Sequence, residues 1–135
     1  MTKAKMINIP VHKRIDGDLS IIEWSKEYDF PIKRTYYIYN FNGEERGHHA
    51  HKKQTQFIVA INGFFEIELT KNGKTSHFQL DSKTKGLLIP PGHWLVLKKP
   101  SLDAICLVHS SHEYDESEYI RAREDFYKWE LSNES

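Results

Sequence analysis

Residues 45–63 read ERGHHAHKKQTQFIVAING, with His48, His49 and His51 crowded immediately ahead of an apolar run. On an extended chain, side chains two apart face the same way, so His49 and His51 project together while His48 and Ala50 turn to the opposite side. The run TQFIVAI that follows is apolar almost throughout, as a strand covered on both faces must be, and Asn62-Gly63 closes it with a residue pair that tolerates positive φ.

The same punctuation continues outward. Short segments rich in β-branched and aromatic residues (IKRTYYIYNF, FFEIELT, SHFQL, GLLIP, WLVLKK, AICLVHS) are separated by Asp16-Gly17, Asn42-Gly43, Asn62-Gly63, Asn72-Gly73 and Pro90-Pro91-Gly92. Two Asn-Gly junctions in close succession predict an antiparallel meander, and in FFEIELT the alternation of Phe65, Ile67 and Leu69 with Glu66 and Glu68 predicts a strand with one wet face. Many short strands without an interior helical period predict an all-β jelly roll. Only the end differs. DESEYIRAREDFYKWELSNES carries acidic residues early and apolar ones at Tyr119, Ile120, Phe126, Tyr127 and Leu131, which predicts a short C-terminal helix.

The chain has 135 residues, enough for one domain over 1–135 with its own core. Lysine plus arginine equal aspartate plus glutamate at 19 each, so no overall field draws nucleic acid or an anionic membrane, and an anionic ligand needs a local cluster. The one cysteine, Cys106, sits in an apolar segment and reads as a buried thiol. With no leader-like h-region and no run near the roughly 20 apolar residues that span a bilayer, the reading is a soluble cytoplasmic protein.

Spacing refines the jelly roll. Four residues lead from His51 to Gln56 and six more to Gly63, which reproduces the first cupin motif, G-x5-H-x-H-x(3,4)-E-x6-G, with glutamine at the glutamate position. In GLLIPPGHWLVLKK the second motif supplies Pro90-x-Gly92, but its metal histidine falls on Leu95. Two imidazoles and an amide leave a divalent ion under-coordinated and without charge compensation, so no metal and no cofactor are expected. His93 lies two residues too early to substitute. The retained pair has unperturbed pKa values near neutrality, which suits proton transfer.

IKRTYYIYN, RGHHAHKK, INGFFEI, GLLIPPGHW and YDESEYIR occur in the order typical of the dTDP-4-keto-6-deoxyglucose 3,4-ketoisomerases, the WxcM-like branch of the cupin superfamily, and the chain resembles that family over nearly its whole length. The resemblance implies a metal-free cupin jelly roll, a homodimer that exchanges N-terminal strands, and a dTDP-linked 4-keto-6-deoxy sugar substrate destined for cell-surface glycans. It also implies that His49 and His51 are catalytic, and that Arg46 and Tyr37 line the ligand cleft. Two departures leave the stereochemical outcome open: Leu95 stands where the family commonly has a polar or basic residue, and Asp16 where it has a bulky polar one.

Such an isomerisation removes the C3 proton, passes through an enediol(ate) and protonates C4, so a base and an acid must face one edge of the sugar. His51 is the expected base, with His49 or Tyr37 hydrogen-bonding the developing oxyanion. Arg46 is the leading diphosphate ligand because its fork binds phosphate oxygens bidentately; Arg34 and Lys53 are weaker candidates. Gln56 replaces the ligand glutamate on the site strand, and Trp94, Tyr36 or Tyr39 would stack on the base. Asp115 and Glu116 read as a helix start, and Trp24 and Trp129 as packing residues. A nucleotide-sugar epimerase and a non-catalytic sugar-binding cupin share many of these features.

Overall fold

The computed structural model describes residues 3–23 and 30–133; Trp24 lies outside them. Two five-stranded antiparallel sheets face each other. Strands β1 (Lys5–Asn8), β9 (Lys85–Ile89), β6 (Gln56–Asn62), β11 (Ile105–Ser110) and β4 (Arg34–Ile38) lie side by side in that order in the first. The second runs β12 (Tyr119–Ile120), β5 (Arg46–His51), β10 (Trp94–Lys98), β7 (Phe65–Lys71) and β8 (Lys74–Leu80). Strands β2 (Val11–Arg14) and β3 (Gly17–Ser20) form a separate exposed hairpin, and the one α-helix among the described residues, α1 (Arg123–Ser132), follows β12. From β4 onward the chain passes back and forth between the sheets, which makes the sandwich the jelly roll expected from the sequence.

Alternation decides which side chains meet. The inward faces supply Ile58, Phe65, Ile67, Leu69, Leu80, Leu87, Leu95, Leu97, Cys106 and Val108 to one shared core. Strand β6 is apolar on both faces because its outer residues Phe57 and Val59 are covered as well, by Ile7, Ile9, Phe30 and Leu88. Completely burying a side chain such as Phe57 contributes roughly 1.5–3 kcal/mol, so the double-sided burial of β6 anchors the strand that lies beneath the site. A third cluster on the outer face of the second sheet holds Ala50, Trp94, Val96, Ile120 and Phe126, with Trp129 packed against it as the sequence suggested.

Three expectations need correction. Asn72-Gly73 joins β7 to β8 as a hairpin, with φ of 50° and 76° at the two turn residues, but Asn62-Gly63 carries the chain from one sheet to the other instead of continuing a meander. Gly63 has φ 62°, and a Cβ there would lie 2.9 Å from the Ala104 Cα, so the crossing turn requires glycine twice over. Tyr119 and Ile120 are not helical: they pair with His51 and Ala50 as an edge strand, because Ile120 completes the third apolar cluster. The early acidic residues do start a helix, but only the 3-10 turn Glu116–Glu118, whose Ser117 amide donates to the Asp115 side chain.

Strand β1 pairs antiparallel with β9 of its own chain. Among the described residues no helix is long and apolar enough to cross a membrane.

Candidate active site

A β-bulge aims the histidines. Opposite β5, Leu95 pairs with His49 and Val96 with Gly47, so His48 is the extra residue and takes φ 55° beside Gly47 at 91°. Gly47 is needed there because a Cβ would lie 2.9 Å from the Leu95 carbonyl oxygen. His48 is thereby turned outward to Glu45, 3.3 Å away, while the rings of His49 and His51 meet edge to face with centroids 5.0 Å apart.

These rings stand at a cavity of roughly 400 Å³ between the sheets. Its floor is aliphatic, made by Ile58, Ile67, Leu95, Leu97 and Val108 with Cys106; Tyr36, Gln56, His49 and Tyr119 form polar walls, and Arg34, Arg46 and Arg121 add positive charge. Leu95 therefore places an alkyl group in the wall where a third imidazole would be needed, and no group of three or more His, Cys, Asp or Glu side chains among the described residues is placed to hold a metal ion. The donor set does not fit a cupin metal.

His51 is set just behind the wall and is 5% exposed. Its Nδ1 donates to Oε1 of Glu118 at 2.6 Å, and the other oxygen of that buried carboxylate accepts from the Lys53 amide at 2.9 Å. Burial holds the His51 imidazole below the ordinary histidine range, outweighing the opposing pull of Glu118. With the proton fixed on Nδ1, Nε2 carries the lone pair, and that atom is buried with no hydrogen-bond partner among the described residues. His49 is pushed down to about 4, first by burial and then by the neighbouring His51 and Arg121. Both imidazoles are thus neutral at physiological pH.

The edge strand β12 and the turn before it complete the wall. Tyr119 stands opposite His51, with ring centroids 4.3 Å from His51 and 5.4 Å from His49. Its hydroxyl accepts from Arg34 Nη2 at 3.0 Å, and Arg121 lies 4.4 Å over its ring while donating to Glu116 through Nε at 2.6 Å and Nη2 at 2.8 Å. That guanidinium holds the Glu116 carboxyl down to about 2. Across the cavity, the Tyr36 hydroxyl accepts from Gln56 Nε2 at 3.2 Å, and burial pushes its phenol up to about 12.

Of the residues singled out from sequence, His49, Arg34, Arg46 and Gln56 line the cavity and His51 sits just behind it. Tyr37 does not: alternation along β4 turns Tyr36 inward and leaves Tyr37 61% exposed on the other face, next to Tyr39. Trp94 is 3% exposed in the cluster under α1, its ring 5.8 Å from Phe126, so it has no open face to stack on a base. Lys53 is exposed and outside the cavity lining; its main-chain amide, not its ammonium, serves the site. Sequence reasoning named Tyr36 only as a stacking residue and missed Glu118, Tyr119 and Arg121. Strand alternation from the inward Ile38 would have singled out Tyr36, whereas Glu118 looks like one more acid in an acidic turn.

The family described as FdtA, WxcM-like, C-terminal matches residues 2–130. The chain belongs to the FdtA family. Its sequence is 41% identical over 128 residues to the TDP-4-oxo-6-deoxy-alpha-D-glucose-3,4-oxoisomerase of Aneurinibacillus thermoaerophilus, covering 93% of this chain and 91% of that protein. A 3,4-ketoisomerase from Helicobacter canadensis superposes with a TM-score of 0.92 at 32% identity, over 97% of this chain and 99% of that one. The sugar 3,4-ketoisomerase QdtA from Thermoanaerobacterium thermosaccharolyticum, solved in complex with TDP, gives 0.91 at 29% identity over 96% and 95%. In this FdtA-family chain, the cavity is therefore the candidate active site.

Proposed function

We propose that this protein is a 3,4-ketoisomerase that moves the keto group of a TDP-linked 4-keto-6-deoxyhexose from C4 to C3. The observation that carries the reading is the His51–Glu118 pair: a buried imidazole whose proton is held on Nδ1 by a carboxylate, leaving Nε2 as a base behind the wall of a cavity of roughly 400 Å³. The relatives support the substrate class, since the first is named for that 4-oxo sugar and QdtA was solved with TDP.

In this reading His51 Nε2 takes the C3 proton and returns it, or a solvent proton, at C4. Glu118 steadies the imidazolium that forms in between, as a buried carboxylate beside a catalytic histidine does. His49, neutral and in the wall, hydrogen-bonds the enediolate oxygen. Arg46, exposed at the end of β5, takes the diphosphate. Burial of the sugar against the aliphatic floor strengthens each of these interactions by lowering the local dielectric.

The protein is proposed to work as a homodimer that exchanges its N-terminal strands: β1 is an edge strand beside β9 and is followed by an exposed hairpin, a placement compatible with its pairing with a second copy's β9 instead. The product is proposed to serve deoxy-sugar synthesis for surface glycans. The test of the activity is incubation with TDP-4-keto-6-deoxyglucose, comparing the unsubstituted chain with His51→Asn; a 3-keto product formed by the first and not the second supports the reading, and equal turnover by both removes His51 from the reaction.

A further inference from the structure

Moving a ketone from C4 to C3 relocates two protons, not one. The carbon-bound proton leaves C3 and one arrives at C4; independently, the hydroxyl at C3 loses its proton to become the new carbonyl, and the old carbonyl oxygen at C4 gains one. A single imidazole base serves the carbon pair. The oxygen pair needs a hydroxyl-type donor and acceptor on the same edge of the sugar. Two phenols line the cavity, Tyr36 and Tyr119.

We propose that Tyr119, held by Arg34, carries the oxygen-borne proton: its phenol gives a proton to O4 as the enediol forms and takes one from the C3 hydroxyl as the 3-ketone forms, so that the phenol ends as it began. The assignment rests on the ketoisomerase reading. Three observations carry it. The strand register sets Tyr119 directly opposite His51, so that its ring adjoins both imidazoles at 4.3 and 5.4 Å and the two proton relays share one wall. The Tyr119 oxygen accepts from the Arg34 guanidinium at 3.0 Å, and Arg121 lies 4.4 Å over the ring, so a negative charge on this oxygen faces two cations while the proton is away. Arg34 is itself oriented by Gln54 Oε1 at 3.3 Å and by the rings of Tyr36 and Tyr114, which fixes the donor.

Tyr36 is the poorer candidate. Its hydroxyl is paired with the neutral amide of Gln56, and burial together with the nearby Tyr119 pushes its phenol up to about 12. Besides Arg34 and Arg121, the titratable groups around Tyr119 are His49, His51, Tyr36 and Tyr114, the last at 5.7 Å, with Glu116 behind Arg121.

The test compares the unsubstituted chain, Tyr119→Phe and Tyr36→Phe for kcat, KM and TDP affinity. Tyr119→Phe keeps the ring and its packing, so TDP affinity is expected to be retained while kcat falls by about 10²–10⁴, the usual contribution of one acid–base group; Tyr36→Phe is expected to cost less. Unchanged kcat in Tyr119→Phe, a loss confined to KM, or a larger loss in Tyr36→Phe overturns the assignment. If Tyr119→Phe also loses TDP, Tyr119→3-fluorotyrosine decides: the fluorinated phenol is a stronger acid of nearly the same shape, so the alkaline fall of kcat moves to lower pH if Tyr119 transfers the proton, and an unmoved profile overturns it. No 3-keto product from the unsubstituted chain overturns the ketoisomerase reading itself and this assignment with it.

Discussion

The buried carboxylate of Glu118, at the end of the 3-10 turn that leads into β12, accepts from Nδ1 of His51, at the end of β5 and 67 residues earlier in sequence, at 2.6 Å. Its second oxygen takes the Lys53 amide, and the Lys52 amide donates to the Glu118 carbonyl at 3.0 Å. The edge strand is thus fastened to the end of β5 by the residue that sets the tautomer of the proposed base.

Glu118→Gln removes the charge and keeps the size. An amide can present either its oxygen or its NH2 to Nδ1, so the His51 tautomer is no longer fixed. Turnover is expected to fall by roughly 10²-fold or more, by analogy with the loss seen when a triad aspartate becomes asparagine, with TDP affinity little changed. Steady-state kinetics beside TDP titration checks this; equal loss in both would make Glu118 a structural strut.

Both site histidines are held neutral by burial, and this fixes the sign of a pH dependence. His49 has a folded-state value of about 4 against the ordinary 6.5, so the unfolded chain binds more protons between those values. The stability it contributes is fully present above about pH 6.5 and is lost as pH falls toward 4, to a limit of about 3 kcal/mol. The lowered His51 acts in the same direction. Thermal denaturation of the unsubstituted chain and of His49→Asn between pH 7 and pH 4.5 tests it: the melting temperature of His49→Asn is expected to fall less on acidification.

Gly47→Ala tests the bulge that aims the pair. Its φ of 91° and the 2.9 Å approach to the Leu95 carbonyl leave no unstrained place for a methyl group, and Leu95 is part of the cavity wall. A loss of about 2 kcal/mol in denaturant stability is expected, together with reduced kcat. Ala50→Gly, on the outer face of the same strand, is expected to lower stability with a smaller effect on kcat.

Arg46→Gln separates diphosphate binding from chemistry. Losing one charge-assisted hydrogen-bonding group costs about 1.5–3 kcal/mol, so TDP affinity is expected to drop roughly 10- to 100-fold and to lose part of its salt sensitivity. Isothermal titration at two salt concentrations reads both; an unaltered affinity would move the diphosphate to Arg34 or Arg121.

Much of this arrangement was written locally. The His49/His51 pair, the Asn72-Gly73 hairpin, the double-sided burial of β6 and Leu95 at the third-histidine position all follow from spacing and alternation within one segment. What escaped notice is long-range. Tyr119 and Ile120 carry a helix-compatible pattern, and only the unfilled edge beside β5 makes them a strand. Glu118 is one of several acids in its turn, and nothing in that turn marks it as the one that will be buried against a histidine. The family resemblance puts Tyr37 in the cleft, but the register of β4 against β11, Tyr36 to Val108 and Tyr37 to Leu107, decides which of the two faces in.

The measurement that bears most directly on the central claim is proton NMR of TDP-4-keto-6-deoxyglucose incubated with the pure protein in deuterium oxide. A 3-keto sugar carrying solvent deuterium at C4 is the expected result, with the C4 coupling giving the configuration. Unchanged substrate after prolonged incubation, at a protein concentration that demonstrably binds TDP, would contradict the ketoisomerase reading.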